Sequence, residues 1–538
     1  MAASPLRDAP GVVSSRLHVL NSAGIRPSGR CVLYWMQASV RACYNYALEY
    51  AIHQANALDL PLVAVFGITD KYPSANERMY AFLLEGLMDA AQALHRRGVR
   101  LCCQYSSPVE ACLQYGSSPQ VAMVVTDMGY MPIQRRWREE VARSLDCAVV
   151  EVEGNVVVPV QVAYPKEAFG ARPLRLSINK VLHEYLKPMP PECVLHNPSA
   201  VEEGSRGVDI VEELGWKEDF DLLHTSVNRL LKRLDIDRSV PRVSTFKGGF
   251  SEAQTQLQKF FQKKMKTYDS ERNDVNKGVQ SNMSPYLHFG HVSPVWIALE
   301  AIKASPRREA KDSFLEELII RRELSMNFAW YNPKLESYEC LPDWATTTLD
   351  LHRHDKRPFL YTEQELELAQ THDKYWNAAQ IEMVLTGKMH NYMRMYWGKK
   401  VLEWTSSPED AFRVLVYLND KYELDGRDPN SYAGVAWCLG KHDQGWKERE
   451  VFGKIRYMNA AGLERKMDIR KYARKWEEKA RSVGGLHSYL SQVQQSDGTV
   501  GVGGASASGG VKREPTEEDE VAEDSKPPPH KRQKPGSE

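Results

Sequence analysis

Three tryptophans in the second half of the chain have a spacing that suits electron transfer. Trp397 and Trp404 lie in MHNYMRMYWGKKVLEW, residues 389–404. On one helix their seven-residue separation would give a shared face and a distance of about 10 Å along the axis. A break at residues 386–387, Thr-Gly, would let the chain fold back and bring Trp376 near both. Indoles at short steps can pass an electron, but three core indoles could have the same spacing, and spacing alone does not place Trp376.

The segment around Pro285 has features of an anion-binding helix start. In SNMSPYLHFGHVSP, residues 281–294, two serines precede the proline, which suits the first turn of a helix. Free N–H groups and the positive end of the helix dipole would favour a phosphate or diphosphate there. Plain capping of the helix is the alternative. Arg272 and Asn273, just upstream, add charge and hydrogen-bonding capacity.

Two adjacent carboxyl groups begin the stretch EELIIRREL, residues 316–324. Glu316 and Glu317 would point about 100° apart on a helix, so only one of them can face inward. Burial among the neighbouring isoleucines would raise the pKa of that carboxyl group and let it donate a hydrogen bond. Because arginines follow in the same stretch, an ion-paired surface helix is the alternative.

Two further segments have the composition of a binding surface. YLNDKYELDGRDPNSYAGVAW, residues 417–437, crowds Asp, Asn, Gly and Pro between two predicted helices, and such loops often carry function. Residues 441–481 contain thirteen Lys/Arg against seven Asp/Glu, with four aromatic residues among them. These aromatic residues are Trp446, Tyr457, Tyr472 and Trp476. Basic charge with aromatic side chains suits a nucleic-acid face, and a solvated helical surface is the alternative.

Composition limits the classes of protein to which the chain can belong. Its 538 residues could form two or three domains, and an apolar fraction of 42% suits a full-sized core. The formal net charge is zero, so only a local patch could attract a polyanion. Nine cysteines without CxxC or Cys/His spacing predict reduced thiols and no metal site. Neither a membrane-spanning run of about 18 apolar residues nor a secretion signal is recognisable.

The first 160 residues alternate short apolar runs with amphipathic stretches. The runs are CVLYWM (31–36), PLVAVFGI (61–68), VRLCCQY (99–105), VAMVVTD (121–127) and CAVVEVEG (147–154). This βαβ rhythm predicts a Rossmann-like, doubly wound parallel sheet. Because no GxGxxG follows the first run and no Walker-type loop occurs, neither NAD nor ATP binding is predicted.

Beyond residue 266 the strand signal disappears and helical stretches follow one another. They include SFLEELIIRRELSMNFAW (313–330), WNAAQIEMVLTGKMHNYMRMYW (376–397) and PEDAFRVLVYLNDKY (408–422). We therefore predict an α/β domain and an all-α domain joined by a connector, with a disordered segment at each end. The predicted limits are 1–16 for the N-terminal segment, 17–165 for the α/β domain, 166–265 for the connector, 266–483 for the helical domain and 484–538 for the tail.

The predicted tail contains two short motifs. KPPPHKRQK has the composition of a nuclear import signal, and VKRE at residues 511–514 fits a sumoylation pattern. A solvated basic run and a chance match are the alternatives. We expect a nuclear protein, and a chloroplast or mitochondrial share stays open because the N-terminus is rich in small residues.

Taken in order, these segments resemble the photolyase/cryptochrome superfamily, and within it the class II cyclobutane pyrimidine dimer (CPD) photolyases. The segments that carry the resemblance are YWMQASVRACYNYAL (34–48), SNMSPYLHFG (281–290), EELIIRREL (316–324), MHNYMRMYW (389–397), LDGRDPNSYAGVAW (424–437) and VFGKIRYMN (451–459). The resemblance implies an α/β antenna domain and a helical domain that holds FAD. It also implies a lyase, deoxyribodipyrimidine photolyase, in which light-excited reduced FAD passes an electron to a dimer flipped out of duplex or single-stranded DNA.

The resemblance assigns roles to residues that match the family's motifs. The residues implied to hold FAD are Tyr268, Ser281, Met283, Ser284, Asn391, Arg394, Asn419 and Asp425. The residues implied to contact the dimer are Arg272, Asn273, Glu317, Arg321, Tyr361, Met395 and Trp437. Arg394 would pair with Asp425, Asn419 would serve the flavin N5, and Glu317 would hydrogen-bond a pyrimidine carbonyl. Electrons for the photoreduction of oxidised FAD would pass through Trp397, Trp376 and Trp404, in that order from the flavin.

Two positions depart from the family pattern. Some relatives carry Trp one helical turn after the glutamate, where this chain has Arg321, so that contact would be lost or ionic. Relatives often read HDRGW where this chain reads HDQGW, residues 442–446, with Gln444 in place of an arginine. DNA affinity would then rest more on other basic residues.

Three other functions compete with CPD repair. A cryptochrome-like light sensor would use the same flavin without repair and signal through the tail. Repair of the (6-4) photoproduct would need an active-site histidine, for which His390 is a candidate. An NAD-dependent oxidoreductase lacks its glycine motif. The superfamily also uses 8-hydroxy-deazaflavin or methenyltetrahydrofolate as antenna chromophores, and no motif in residues 31–160 assigns either. We expect a monomer.

Overall fold

The computed structural model describes residues 8–199, 209–304 and 307–496. The first part of the chain forms a six-stranded sheet. Its strands are β1 (Leu17–Val19), β2 (Cys31–Trp35), β3 (Leu62–Gly67), β4 (Arg100–Gln104), β5 (Val121–Asp127) and β6 (Ala148–Val152). The strand order is β1-β6-β5-β2-β3-β4, and every pair is parallel except β1 with β6. This is the predicted doubly wound sheet, with its switch point between β2 and β5.

Four helices connect the parallel strands and cover both faces of the sheet. They are α1 (Tyr46–Leu58), α2 (Glu77–Arg96), α3 (Pro108–Gly116) and α4 (Pro132–Ser144). Strand β2 is buried along its whole length: Val32 and Tyr34 pack into one hydrophobic cluster, and Leu33 and Trp35 pack into another. Burial on both faces explains why the strands read as continuous apolar runs. All five predicted runs form strands, whereas β1 was missed because three edge residues carry little signal.

The remaining described chain contains helices and no further strand. These helices are α5 (Val160–Ala163), α6 (Ala171–Tyr185), α7 (Ile210–Glu213), α8 (Val227–Leu231), α9 (Phe250–Lys263), α10 (Tyr268–Glu271), α11 (Ser284–His288), α12 (Pro294–Ala304), α13 (Arg308–Leu315), α14 (Arg322–Tyr331), α15 (Asp343–Leu351), α16 (Glu363–Glu367), α17 (Lys374–Thr386), α18 (Asn391–Trp404), α19 (Pro408–Tyr422), α20 (Pro429–Cys438), α21 (Ala460–Lys466), α22 (Ile469–Ser482) and α23 (Leu486–Ser496). The predicted fold class is therefore confirmed, and α19 has the predicted limits.

The predicted break between the two tryptophan-bearing helices is present. Helix α17 ends at Thr386, and Gly387 follows with φ +73°, a left-handed conformation that glycine adopts readily. A Cβ at Gly387 would come within 3.0 Å of Leu424. The chain then turns back, and α18 begins at Asn391.

The stretch predicted as one helix over residues 313–330 contains a π turn. It consists of the end of α13, a π-helical segment at Glu316–Arg321, and α14. Such a turn adds a residue to the helix and is frequent at functional sites. Hydrophobic periodicity did not reveal it, because Leu318, Ile319 and Ile320 are all buried.

Both segments predicted to be disordered, 1–16 and 484–538, include residues that form helices. Ser14–Arg16 forms a short 3₁₀ helix, and the buried Arg16 donates from Nη1 to the carbonyl oxygen of Glu153 at 2.8 Å. Helix α23 extends the folded chain beyond residue 484, and its Leu486 is buried. Residues 1–7 and 497–538, including both tail motifs, lie outside the described residues.

The hydrophobic core does not stop at the predicted domain limits. One cluster contains both Val32 of the sheet and Ile319 of the π turn, so the limits at 165 and 265 stay predictions. All nine cysteines are unpaired. In the described ranges, no helix is both long and apolar enough to cross a membrane, and no group of His, Cys, Asp or Glu residues could hold a metal ion.

Candidate functional site

The three tryptophans form one buried series. The rings of Trp397 and Trp376 are stacked with centroids 6.4 Å apart, and Trp376 meets Trp404 edge-on at 5.7 Å. Trp376 Nε1 donates to the carbonyl oxygen of Trp397 at 3.0 Å, and Trp397 Nε1 donates to Gln380 Oε1 at 3.0 Å. The fold-back at Gly387 thus places Trp376 between the other two indoles, which the sequence left open.

Tyr361 lies at the Trp404 end of this series. Its ring is 5.4 Å from Trp404, its main-chain N–H donates to the carbonyl oxygen of Trp404, and its hydroxyl group is 2.6 Å from His372 Nδ1. Trp404 follows Met395 by nine residues, or about 14 Å along α18. The assignment of Tyr361 to the dimer stays a prediction.

A buried cluster of charges lies where α18 approaches the loop after α19. Arg394 Nη2 is 2.6 Å from Asp425 Oδ1 and 2.8 Å from Glu423 Oε2. Lys388 Nζ is 3.8 Å from Asp425 Oδ2 and donates to Ser284 Oγ at 2.6 Å. The predicted pairing of Arg394 with Asp425 is thus present. Glu423 and Lys388 were missed, and their only signal was their nearness to the predicted residues.

The two carboxyl groups of this cluster have opposite pKa shifts. Burial by itself would raise the pKa of Asp425, but the charges of Arg394 and Lys388 hold it well below its usual range. Burial raises the pKa of Glu423 to about 8, against the charge of Arg394 and with the help of the negative Asp425. At neutral pH the cluster therefore has two cations and one full carboxylate, a balance that favours an anionic ligand.

Replacing Glu423 with glutamine is expected to change how stability depends on pH. Because its folded pKa lies above its unfolded value, the contribution of Glu423 to wild-type stability falls as pH rises between about 5 and 8, by at most about 1.4 kcal/mol per pH unit. Buried Glu153 and Glu323, whose pKa values burial raises to about 7 and about 8, contribute similar slopes. Melting temperatures across this range should therefore fall less steeply in Glu423→Gln than in wild type. Parallel curves would contradict the shift at Glu423.

Of the other predicted FAD residues, Ser281, Met283 and Ser284 lie at the start of the short helix α11. This helix has only five residues and no side-chain cap, so its dipole is short. The positive charge at Ser284 comes instead from Lys388, which donates a hydrogen bond to the serine hydroxyl group. Met283 is buried, whereas Ser281 is half-buried and Asn391 exposed. Tyr268 packs edge-on against Phe314, with centroids 5.5 Å apart.

Asn419 is buried, and its hydrogen bonds fix its carboxamide group. The side-chain nitrogen donates to Asp420 Oδ1 at 2.9 Å and also to Ser431 Oγ. Asp420 is held in turn by the Arg427 main-chain N–H at 2.8 Å and by the Tyr432 hydroxyl at 2.9 Å. The carbonyl oxygen of the carboxamide is the acceptor that this arrangement leaves for a ligand.

Glu317 forms an ion pair at the rim of the site. Its Oε1 is 2.8 Å from Arg272 Nη1, and both side chains are a little under one-third exposed. The carboxyl group is therefore not isolated among isoleucines, and the ion-paired alternative describes it. Asn273, the next residue after Arg272, is exposed.

Arg321 contacts Trp437, which is the other predicted dimer contact on this rim. The centre of the guanidinium group lies 5.5 Å from the ring centroid, within cation–π range. Its Nε is 3.2 Å from Glu316 Oε1. Arg321, which departs from the family pattern, thus makes both an ionic contact with Glu316 and a stacking contact with Trp437.

Two glycines mark the neighbouring helices α18 and α20. Gly434, in the middle of α20, is exposed, and a Cβ there would meet no atom within 4 Å. Gly398 instead lets the two helices touch, because a Cβ there would lie 2.5 Å from Cys438 Sγ. Met395 and Trp437 are half-buried on these helices. The close crossing and the open glycine together suit a cleft that admits a flat ligand.

His390 has the wrong environment for a general acid. Its Nδ1 accepts from the Tyr392 main-chain N–H at 3.2 Å, and its Nε2 is 2.5 Å from Gln280 Nε2. Burial and the charge of Lys388 lower its pKa to about 4. The imidazole is therefore neutral at physiological pH, which weakens the (6-4) repair alternative.

A separate cavity of about 120 Å³ lies at the carboxyl ends of the strands. Its lining includes Met36, Phe66 and Trp137 from the α/β part and His288, Phe289 and Arg427 from the helical part. This is the edge at which doubly wound sheets bind ligands. Sequence reasoning did not find this cavity, because no glycine motif marks it.

The basic segment 441–481 has fewer exposed aromatic residues than predicted. Trp446 is 42% exposed, and Arg456 lies over its ring at 4.8 Å. Tyr472 and Trp476 are buried in the core and cannot stack on nucleic acid. A nucleic-acid contact in this segment therefore centres on Trp446 and its neighbouring cations.

The family model and the curated relatives that match this chain are all DNA photolyases. A model described as DNA photolyase matches residues 32–193. The chain is 46% identical over 459 residues to the deoxyribodipyrimidine photo-lyase of Methanothermobacter thermautotrophicus, covering 85% of this chain and 97% of that protein. It is 38% identical to the protein of the same name from Potorous tridactylus, covering 88% and 87%.

Solved structures share the fold at much lower identity. The crystal structure of a class III photolyase from Agrobacterium tumefaciens has a TM-score of 0.64 and 15% identity, with 84% of this chain and 87% of that chain covered. A Synechocystis cryptochrome has a TM-score of 0.61 and 17% identity, with 83% and 88% covered. These likenesses concern the fold, whereas 46% identity across most of both chains concerns the family. The chain therefore belongs to the DNA photolyase family, as an enzyme of the photolyase/cryptochrome superfamily.

Proposed function

We propose that the chain is a class II CPD photolyase, which repairs pyrimidine dimers in DNA by light-driven electron transfer. The observation that carries the proposal is the division of labour along helix α18. Arg394 pairs with Asp425 in the charge cluster, Met395 is half-buried, and Trp397 begins the tryptophan series. One helix would thus join a cofactor contact, a substrate contact and an electron path.

The donor groups around the cleft fit FAD. Lys388 and the Ser284 hydroxyl group suit the diphosphate, and we expect Tyr268, Ser281, Met283 and Asn391 to contact the same cofactor. Arg394 with Asp425, and the free carboxamide oxygen of Asn419, suit the polar edge of the flavin ring. Reduced FAD, excited by blue or near-UV light, would supply the electron that opens the cyclobutane ring and would take it back afterwards.

The protein's own groups would hold the dimer and balance its charge. Glu317, ion-paired with Arg272, would accept a hydrogen bond from a pyrimidine ring N–H, and Asn273 follows Arg272 in the chain. Met395, Arg321 and Trp437 would form the apolar and cationic walls. Extrusion is cheaper for a damaged pair than for sound bases, because the damaged pair stacks less well. Negative charge on the dimer would be stabilised by the nearby cation Arg272.

We also propose an antenna site, an oligomeric state and a cellular location. The cavity at the strand ends would hold the antenna chromophore, either 8-hydroxy-deazaflavin or methenyltetrahydrofolate. The protein would act as a monomer on duplex or single-stranded DNA, in the nucleus and in an organelle if one is targeted. Chromophore extraction from protein of the native source would identify the antenna.

Light-dependent repair is the direct test. Purified protein with chemically reduced flavin, mixed with an oligonucleotide that contains one thymine dimer, should restore thymine absorbance under blue light and not in the dark. An undamaged oligonucleotide is the control for absorbance drift. Without recovery in the light, the repair proposal fails and a cryptochrome-like sensor becomes the better interpretation.

A further inference from the structure

The π turn at Glu316–Arg321 determines which acid each arginine meets. In an α-helix, side chains four residues apart are neighbours, so Arg321 would meet Glu317. A π turn has i→i+5 hydrogen bonds, which bring residues five apart onto one face. Arg321 Nε accordingly lies 3.2 Å from Glu316 Oε1, and Glu317 is left for Arg272. One extra residue in the helix therefore frees the predicted dimer carboxylate from Arg321.

Glu316 is shared by two guanidinium groups. Arg175 Nε donates to Glu316 Oε2 at 2.9 Å, and Arg175 Nη2 donates to Glu316 Oε1, the oxygen that Arg321 approaches. Two positive charges thus face one carboxylate. One positive charge is therefore uncompensated at this point of the rim. It belongs to Arg321, whose contact with Glu316 is weaker than that of Arg175.

Arg321 has unused donors held in a fixed orientation. Its Nε lies 3.2 Å from Glu316 Oε1, and no residue in 8–199, 209–304 or 307–496 accepts a hydrogen bond from its Nη1 or Nη2. The group lies over the ring of Trp437, and the side chain is 35% exposed. A guanidinium group held at one nitrogen and stacked on an indole loses little further freedom when its two terminal nitrogens bind a ligand.

We propose that Arg321 binds a phosphodiester of the lesion-containing DNA strand through Nη1 and Nη2, with Trp437 as its platform and Glu316 as its tether. The free fork matches two phosphate oxygens, and the uncompensated charge favours an anion over a neutral carbonyl group. The inference rests on the proposed function and names the group that this rim would bind. An aromatic residue at position 321 could stack on a base, but it would not make DNA binding depend on salt concentration as a charged contact does.

The salt dependence of binding tests the charge. Binding of wild type, Arg321→Gln and Arg321→Lys to a dimer-containing oligonucleotide is measured in the dark over a range of salt concentrations. For Arg321→Gln we expect roughly tenfold weaker binding at low salt and a log–log salt slope smaller by about one. Arg321→Lys should keep the slope and lose part of the affinity, because it keeps the charge but not the fork. Arg30→Gln is the matched control, because Arg30 is also a partly exposed arginine that pairs with one glutamate, Glu213. It lies directly before strand β2, outside the predicted dimer contacts.

Neutral methylphosphonate groups then locate the phosphate. Placed one at a time beside the dimer, one of them should weaken wild-type binding and have no further effect on Arg321→Gln. An unchanged salt slope in Arg321→Gln, or additive losses at every phosphate position, would overturn the inference. If wild type instead shows no preference for dimer-containing over undamaged DNA, the proposed function itself fails.

Discussion

Replacing Trp376 with phenylalanine is expected to stop light-driven reduction of the bound flavin and to leave repair by chemically reduced protein intact. Trp376 lies 6.4 Å from Trp397 and 5.7 Å from Trp404. Trp397 and Trp404 themselves lie about 10 Å apart along their helix. Because phenylalanine is much harder to oxidise than tryptophan, the variant should interrupt the series at its centre. Flavin absorbance during illumination with an external reductant measures the loss.

Trp35→Phe is the matched control for this experiment. Trp35 and Trp376 are both fully buried, so each substitution leaves a cavity that costs on the order of 1–3 kcal/mol, and only Trp376 lies in the series. Trp35→Phe should photoreduce its flavin normally. Normal photoreduction in Trp376→Phe would exclude this path, and lost repair in its chemically reduced form would show damage beyond electron transfer. Trp397→Phe is expected to behave like Trp376→Phe.

The sheet and the tryptophan fold-back could be predicted because their signals are local. Strands buried on both faces require apolar runs such as VAMVVTD, and Gly387 marks the end of a helix by the conformation it adopts. The resemblance to a known family identified Arg394 and Asp425, whose ion pair the structure contains. Their partner Glu423 had no signal of its own, because an acid two residues before another acid is common on any surface.

The errors arose where long-range packing decided the outcome. The π turn shifts the register by one residue across Leu318, Ile319 and Ile320, which are all buried, so periodicity cannot detect it. The contact between Tyr361 and Trp404 joins residues that are distant in sequence, so no local pattern indicates it. Tyr472 and Trp476 were avoidable errors: their i,i+4 spacing, in line with Ile469, is typical of a buried helix face.

Replacing Asp425 with asparagine is expected to remove most of the bound flavin and to destabilise the helical part of the protein. Asp425 is the full carboxylate that faces both Arg394 and Lys388, and removing one partner of a buried ion pair typically costs about 3–5 kcal/mol. The flavin-to-protein ratio after purification and the melting temperature measure the two effects. Glu403→Gln, which breaks a 2.6 Å pair with Lys400 at the other end of the same helix, is the control and should keep its flavin.

The neighbouring Glu423 gives this experiment a second readout. The negative charge of Asp425 is one reason that the pKa of Glu423 is raised, so its loss should let Glu423 ionise and compensate part of the missing charge. Asp425→Asn should then be less damaging than removal of both acids. The double variant with Glu423→Gln leaves Arg394 and Lys388 without a carboxylate, and its loss of stability should exceed the sum of the two single losses. Additive losses would show that Glu423 does not respond to Asp425, and full flavin content in Asp425→Asn would remove the charge cluster from the cofactor site.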